Sequence, residues 1–577
     1  MDGGKDRGLR VDAVWDIETR NWDEFVCGSL WTADSGVKIY RDPDELGERL
    51  MSLPTNAQVW AHAGGSFDVL WLLDWCISKG KTPDARVTLS GSSIAACAFK
   101  GGPMLRDSAR LIPMSLRKAS TMFGGGIQKQ ELDLPCRCGN DCGGYCSIDR
   151  ELRGAQRQRL IDYLTADIES LRDTLTGLIE FAGNHGIELA GTIAGSTWRT
   201  AKEWCGLPNA EWEPHTYNWV RSAYYGGRVE VGMTKAHRVW HYDRTQAYPA
   251  AMCKALPCGA MKDLSDESAR KAFVSGKPGF YEGTIEIPES MAPPLPMRWE
   301  NRITYPWGEV TGVWARDEIN RAVESGAKVK SLTRAMVWSR EEKLLEGYMQ
   351  HCFKLREAAT TDSLKTWLKF LANSLSGAFA QDPERDLVRI GDLSEVPGYE
   401  PVGRSEIVWR KGVYSISDRG HIQWAATLTA DARVELGREI EHAGDDWVYS
   451  DTDSVKSTRE LTRNVGAGLG LWKFEGVDSP WECLAPKVYA HGKGDGFKAK
   501  AKGIREATKT WDDIRDRKKV KSVGGVLSLL VAAKGDRMFK RKETSRSMKP
   551  ETEWCGGRLR DGERTRAPHV DDLARLP

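Results

Sequence analysis

No stretch of the chain approaches the ~18 consecutive apolar residues that a membrane-crossing helix needs. The opening MDGGKDRGLR also lacks the apolar core of a secretory leader. These absences argue against a helical membrane protein or a secreted one. They set the expectation of a cytoplasmic protein, in a host cell's cytoplasm if the source is viral. Internal repeats and low-complexity tracts are missing too, which removes solenoids and repeat arrays. Net charge is only +2, so overall charge points to no polyanionic partner. With thirteen Cys and no leader, the expectation is reduced thiols or metal ligands, not a disulfide framework.

What is present is ordinary in bulk and uneven in placement. The 577 residues, 40% hydrophobic and 28% charged, suit a folded chain of three or four domains and exclude a mainly disordered one. From Cys483 onward the chain carries +11, and the residues before it carry −9. A basic C-terminal segment behind an acidic body suits a protein that grips phosphates in one region and concentrates carboxylates in another.

The first segment reads as α/β. VDAVWDIETR is an apolar run ending in carboxylates, AQVWAHAGG is closed by glycines, and FDVLWLLDWCI predicts a buried helix. QRQRLIDYLTADIESLRDTLTGLIEFA has the 3.6-residue period of a helix, and turn residues after it set a domain boundary near Gly191. Further on, HRVWHYD, GFYEGTIEI and GDDWVYSDTDSVK predict strands. SREEKLLEGYMQHCFKLREAATTD and SLKTWLKFLANSLSGAFA predict two helices. IPESMAPPLPM and QDPERDLVRIGDLSEVPGYEPVGR read as loops or insertions.

The most informative stretch is Tyr449-Ser450-Asp451-Thr452-Asp453-Ser454. Two aspartates one residue apart fit a strand–turn–strand hairpin whose carboxylates reach one metal cluster. Magnesium wants hard oxygen ligands of this kind and takes substrate phosphates as others. A second source is Asp243, at the end of VWHYD and ahead of Arg244-Thr245-Gln246-Ala247-Tyr248-Pro249. Together they could hold two metals ~3.5–4 Å apart for in-line phosphoryl displacement. The third element is Lys369-Phe370-Leu371-Ala372-Asn373-Ser374-Leu375-Ser376-Gly377, where Lys369, Asn373 and Gly377 share a helix face.

In this order the motifs resemble those of the family B DNA polymerases. The chain looks most like their protein-primed branch, found in linear-genome phages, plasmids and related mobile elements. Tyr224-Tyr225-Gly226-Gly227 matches that branch's YxGG linker, and Lys487-Val488-Tyr489 its KxY primer-grip motif. The resemblance implies an α/β and α+β multidomain chain: a ribonuclease H-like (DnaQ-type) exonuclease domain, then a right-hand palm, fingers and thumb. By this resemblance, 1–190 is the 3′–5′ exonuclease domain, and 191–260 with 421–482 the palm. Residues 261–345 and 381–420 are insertions resembling terminal-protein regions 1 and 2, the latter a hairpin that helps strand displacement. Residues 346–380 are the fingers and 483–577 the primer grip and thumb.

Carried over by position, Asp243 and Asp453 bind the catalytic metals, two magnesium or manganese ions, with Asp451 beside them. Tyr248 lies under the incoming sugar, Lys369 contacts the triphosphate, and Arg356 is a second phosphate contact. Asn373 and Gly377 line the base pair. Tyr224, Gly226, Gly227, Lys487 and Tyr489 touch the DNA. Two departures stand out. Gln246-Ala247 replaces the family's Ser-Leu, and Ser376 replaces a tyrosine of the nucleotide pocket, which sets the expectation of weaker nucleotide binding or looser base discrimination.

A separate carboxylate set lies upstream: Asp16 and Glu18 in DIE, Asp68 after a glycine-rich turn, and Asp167 one helical turn after Tyr163. It resembles the proofreading site of the same polymerases. That implies metals at Asp16, Glu18, Asp68 and Asp167, with Tyr163 orienting the attacking water. Thr19, His62, Phe67 and Ser108 match the contacts to a single-stranded 3′ end. Ala63 stands where the family has an asparagine, which weakens the expected grip on that end.

Cys136, Cys138, Cys142 and Cys146 lie within eleven residues and could hold a structural zinc; free thiols, or disulfides formed in vitro, are the alternative. Most of the 23 Trp are expected in the core, and Lys498, Lys500 and Lys502 alternate as on one strand face. The partners implied are primer–template DNA, deoxynucleotides and a terminal protein, with the enzyme a monomer away from membranes. The rivals are the same polymerase on an ordinary nucleic-acid primer, an exonuclease with a weakened polymerase half, and a catalytically idle DNA-binding protein.

Overall fold

The computed structural model describes residues 8–576 apart from 21–23, 82, 124–153, 301, 505–506, 536–537 and 548–552. The expected zinc loop, 136–146, lies outside the described residues.

The N-terminal unit is built on a ten-stranded mixed sheet. The strand Ala13–Arg20 runs antiparallel to Glu24–Thr32 and parallel to Gln58–Ala61, which is in turn parallel to Met104–Asp107. Val14, Trp15 and Ile17 are buried on successive sides, so this strand is covered on both faces and reads as a continuous apolar run. The helix Asp68–Ser78 is buried nearly all round. The long helix Gly154–Asn184 crosses Ala13–Arg20 and Glu24–Thr32. Gly191 falls in the connection to the next helix, Ile193–Cys205.

The stretch 381–404, read as loop or as an insertion carrying a hairpin, contains the strand Glu384–Ile390, which pairs antiparallel with Val408–Tyr414 and adds to the N-terminal sheet through Val388–Val87 and Ile390–Ala85. Only Val388 and Ile390 supply its buried face, too few apolar residues among Asp, Glu and Pro to show a period. Ser339–Glu342, expected to open a helix, ends the strand Lys328–Glu342 instead, and the helix is Glu346–Ala358. Pairing of this stretch with Leu256–Cys258 overrides its helical propensity.

A five-stranded antiparallel sheet carries the motifs of the second half. Its order is Trp472–Asp478, Val239–Arg244, Ser454–Ser457, Trp447–Asp451, Val229–Val231. The helix Ile422–Ala443 packs against its two central motif strands. The helices Glu346–Ala358 and Asp362–Phe379 pack together, the second burying Leu364, Trp367, Leu368, Leu371, Leu375 and Phe379 along one side. Residues 256–342 form a separate four-stranded antiparallel sheet. Trp481–Ala485, Val488–His491 and Lys498–Ala501 continue as a small sheet that borrows Lys235–Ala236. After the hairpin Val520–Val526/Arg541–Arg546, the strands near the C-terminus return to the five-stranded sheet, where Thr565 N–H donates to Gly232 O at 3.0 Å.

Candidate active sites

Asp243 is the penultimate residue of the strand Val239–Arg244 and pairs with Ser454, the residue after Asp453. Asp451 and Asp453 flank the turn residue Thr452, whose left-handed φ of 61° reverses the chain between two short strands. The turn is pinned from outside, because Thr452 N–H donates to Arg228 O at 2.8 Å. Gly227 of the YxGG linker lies against it: a Cβ there would stand 2.5–2.9 Å from the Thr452 side chain, so only glycine fits. The linker is held in turn by Arg433, which donates to Tyr225 O at 2.7 Å and pairs with Glu318 at 2.8 Å, both side chains fully buried.

Two of the three predicted carboxylates, Asp243 and Asp453, are near enough for the charge of one to act on the other. Burial and the charge of Asp243 push the Asp453 carboxyl up from its ordinary range. Burial pushes Asp243 up as well, but the His241 hydrogen bond at 3.0 Å and the nearby Lys456 and Lys369 charges outweigh it and hold the group low. Asp451 is differently engaged: Lys487 donates to both its oxygens at 2.7 Å. The predicted primer-grip lysine and the first aspartate of the D-T-D turn are therefore partners.

The other predicted residues surround this pair. Lys369 is exposed on its helix, and its charge reaches both Asp243 and Asp453. Asn373 donates to Lys369 O at 2.7 Å, and Ser376 turns its hydroxyl back to Asn373 O at 2.9 Å. A Cβ at Gly377 would project into open space, so that helix face is free to take a flat group. Arg356 is half-buried on the neighbouring helix. Tyr248 lies beside Tyr224 and Asp453, and burial pushes its phenol up. Arg298 donates to Tyr224 O at 3.0 Å. Tyr489 packs with Tyr449 and Trp481. A groove of about 370 Å³ runs past Asp451, Lys487, Tyr489, Lys500 and Lys502. Lys498, Lys500 and Lys502 are all exposed, which fits a surface that tracks phosphates.

In the N-terminal unit, Asp68 starts its helix beneath the strand bearing Asp16 and Glu18, and accepts Ile17 N–H at 3.0 Å. Burial, then the Asp16 charge, push the Asp68 carboxyl well up. Glu18 is buried, and strand pairing slips by one residue between it and Thr19, as a bulge that re-aims side chains does. Tyr163 and Asp167 are buried on the helix crossing that strand. His62 sits between Ser108 Oγ at 2.9 Å and Met114 O at 2.8 Å. Phe67 meets the ring of Phe539 edge-on at 5.2 Å, so the segment after the C-terminal hairpin's first strand rests on this site. Sequence reading missed Asp107, a buried carboxylate at the end of its strand whose charge also acts on Asp68. Its lone Asp in RDSAR had no spacing to mark it.

Both sites suit hard cations in their donor chemistry, since neighbouring carboxylates repel each other until a cation lies between them. Among the described residues, no three His, Cys, Asp or Glu side chains form a ready-made cage for a metal ion. The nine described cysteines are free thiols. Among the described residues no helix is long and apolar enough to cross a membrane.

Residues 153–404 match the family model described as DNA polymerase type B, organellar and viral. The DNA-directed DNA polymerase of Enterobacteria phage PRD1 is 24% identical over 466 residues, 76% of this chain and 74% of that protein. A probable DNA polymerase of Neurospora intermedia is 23% identical over 316 residues, covering 49% of this chain and 32% of that longer protein. Phi29 DNA polymerase, solved with primer-template DNA and incoming nucleotide, superimposes with a TM-score of 0.72 at 15% identity, over 93% of this chain and all of that one. The resemblance and the multidomain fold expected from the motifs are borne out.

Proposed function

We propose that this chain, a relative of the viral and organellar type B DNA polymerases, is a DNA-directed DNA polymerase that extends a primer on a template and trims 3′ ends at a second site. The observation that carries the reading is the convergence of Asp243 and Asp453, from strands 210 residues apart in sequence, within reach of the Lys369 charge. Two magnesium or manganese ions held at Asp243 and Asp453 would supply Lewis-acid stabilisation of the attacking and leaving oxygens. Lys369 and Arg356 take the charge of the nucleotide triphosphate as the primer 3′-hydroxyl bonds to the α-phosphorus and pyrophosphate departs. Tyr248 underlies the sugar and excludes a 2′-hydroxyl by bulk. Asn373 and Gly377 present a flat wall to the new base pair. Lys487 and Tyr489 hold the primer strand.

The N-terminal carboxylates support 3′–5′ hydrolysis. Asp16, Glu18, Asp68 and Asp167 would hold the ions, and Tyr163 would orient a water. Thr19, His62, Phe67 and Ser108 would receive the frayed end. Priming by a terminal protein and strand displacement belong to the same reading, on the strength of the motifs and of the fold shared with Phi29 DNA polymerase. The test is extension of a labelled primer on a template with Mg2+. Nucleotides should be added by the wild-type protein and not by Asp453→Ala. Degradation with no extension under any condition would select the rival nuclease reading.

A further inference from the structure

We infer that His241 is a positioning residue for Asp243, fixing one carboxylate oxygen so that the other is left for a divalent ion; this rests on the polymerase reading above. His241 and Asp243 are two apart on one strand and so share a face. His241 Nε2–H donates to Asp243 Oδ1 at 3.0 Å. Three features of the sheet aim the ring there. First, pairing with the edge strand Trp472–Asp478 slips between His241 and Tyr242, with Glu475 as the extra residue, and such bulges re-aim side chains beside active sites. Second, the residue opposite His241 on that strand is Gly476, at φ 136°, which brings no side chain to the sheet beside the ring. Third, the residue opposite on the other side, Lys456, is buried and already committed, paired with Asp478 and lying 4.9 Å over the Trp481 ring. Asp478 also takes His491 at 2.9 Å, so neither of these groups draws His241 away. Groups that orient a ligand in this way commonly set metal affinity tenfold or more.

The probe is Mn2+, followed by the loss of its free-ion paramagnetic resonance signal. The full chain carries Asp16→Ala and Asp68→Ala to silence the exonuclease carboxylates, and is held with dideoxy-terminated primer–template and a deoxynucleotide. His241→Ala and His241→Phe should each weaken Mn2+ binding about tenfold. His241→Gln, which offers an N–H at similar reach, should recover most of the loss. Primer extension should show the same order in the metal concentration needed, with the nucleotide KM little changed. Unaltered Mn2+ affinity in His241→Phe would overturn the inference alone, because the ring without its donor would then suffice. A parent protein that neither binds Mn2+ nor extends a primer would overturn the polymerase reading with it.

Discussion

Lys487 Nζ stands 2.7 Å from both carboxylate oxygens of Asp451, joining the start of the strand Val488–His491 to the D-T-D turn. Tyr449 reinforces the join, its hydroxyl accepting Lys487 N–H at 3.1 Å. Asp451 is thus neutralised by protein, whereas the charge of Asp243 acts unfavourably on Asp453. Asp451→Asn should free the lysine for a phosphate and steepen the salt dependence of primer–template binding by about one unit of log–log slope. The Mg2+ concentration for half-maximal extension should stay put, unlike in Asp453→Asn. A metal requirement that moves equally in both variants would refute this division of roles.

Ala63 adopts φ 60°, ψ 14°, a left-handed conformation that costs alanine roughly 1–2 kcal/mol and that asparagine tolerates. Ala63→Asn should therefore stabilise the N-terminal unit by about 0.5–1 kcal/mol. It should also lower the KM for hydrolysis of single-stranded DNA, since the added amide lies beside His62. Denaturant unfolding and a single-strand degradation assay check both parts; reduced stability would mean the local backbone does not suit an Asn.

Arg558, fully buried near the C-terminus, pairs with Glu230 at 3.1 Å, and Glu230 pairs with Arg228 at 2.5 Å. The Arg228 carbonyl is the one holding Thr452 in the D-T-D turn. Removing one member of a buried ionic group typically costs 3–5 kcal/mol. Arg558→Ala should lower stability by about that amount and reduce extension, with single-strand degradation largely kept. Equal loss of both activities would point to global unfolding instead.

His421 is buried against Trp424, with ring centroids 3.9 Å apart, and its Nε2 meets Pro208 O at 3.1 Å. Burial lowers its pKa from 6.5 to about 4. Between these values the unfolded chain binds the proton and the folded one does not, so stability is lost as pH falls from 6.5 towards 4. The full shift corresponds to about 3 kcal/mol. His421→Gln should flatten this acid-side loss. Unfolding midpoints at pH 7.5 and 5 should differ less in the variant than in the wild type.

The motifs were legible because their chemistry demands fixed residue types at short spacing: D-T-D in one turn, Lys369, Asn373 and Gly377 on one helix face, Tyr163 and Asp167 on another. Buried apolar stretches such as Asp68–Ser78 were legible for the same reason, that one element holds the whole pattern. What stayed hidden depends on contacts between distant segments. The Lys487–Asp451 pair spans 36 residues. The strand Glu384–Ile390 shows its nature only when paired to Ala85–Ser90. His241 sat in plain view two residues before Asp243, but a histidine in an apolar strand says nothing until the strand puts it on one face with a carboxylate.

The central claim is that two separate carboxylate sites act oppositely on one DNA strand. The most direct measurement follows a labelled primer–template with Mg2+ and nucleotides, then without nucleotides, in Asp16→Ala and Asp453→Ala. The account predicts that Asp453→Ala loses extension yet still shortens the primer, and that Asp16→Ala extends it but no longer shortens it. A single substitution that abolishes both activities in a folded protein, or a pair that changes neither, would contradict it.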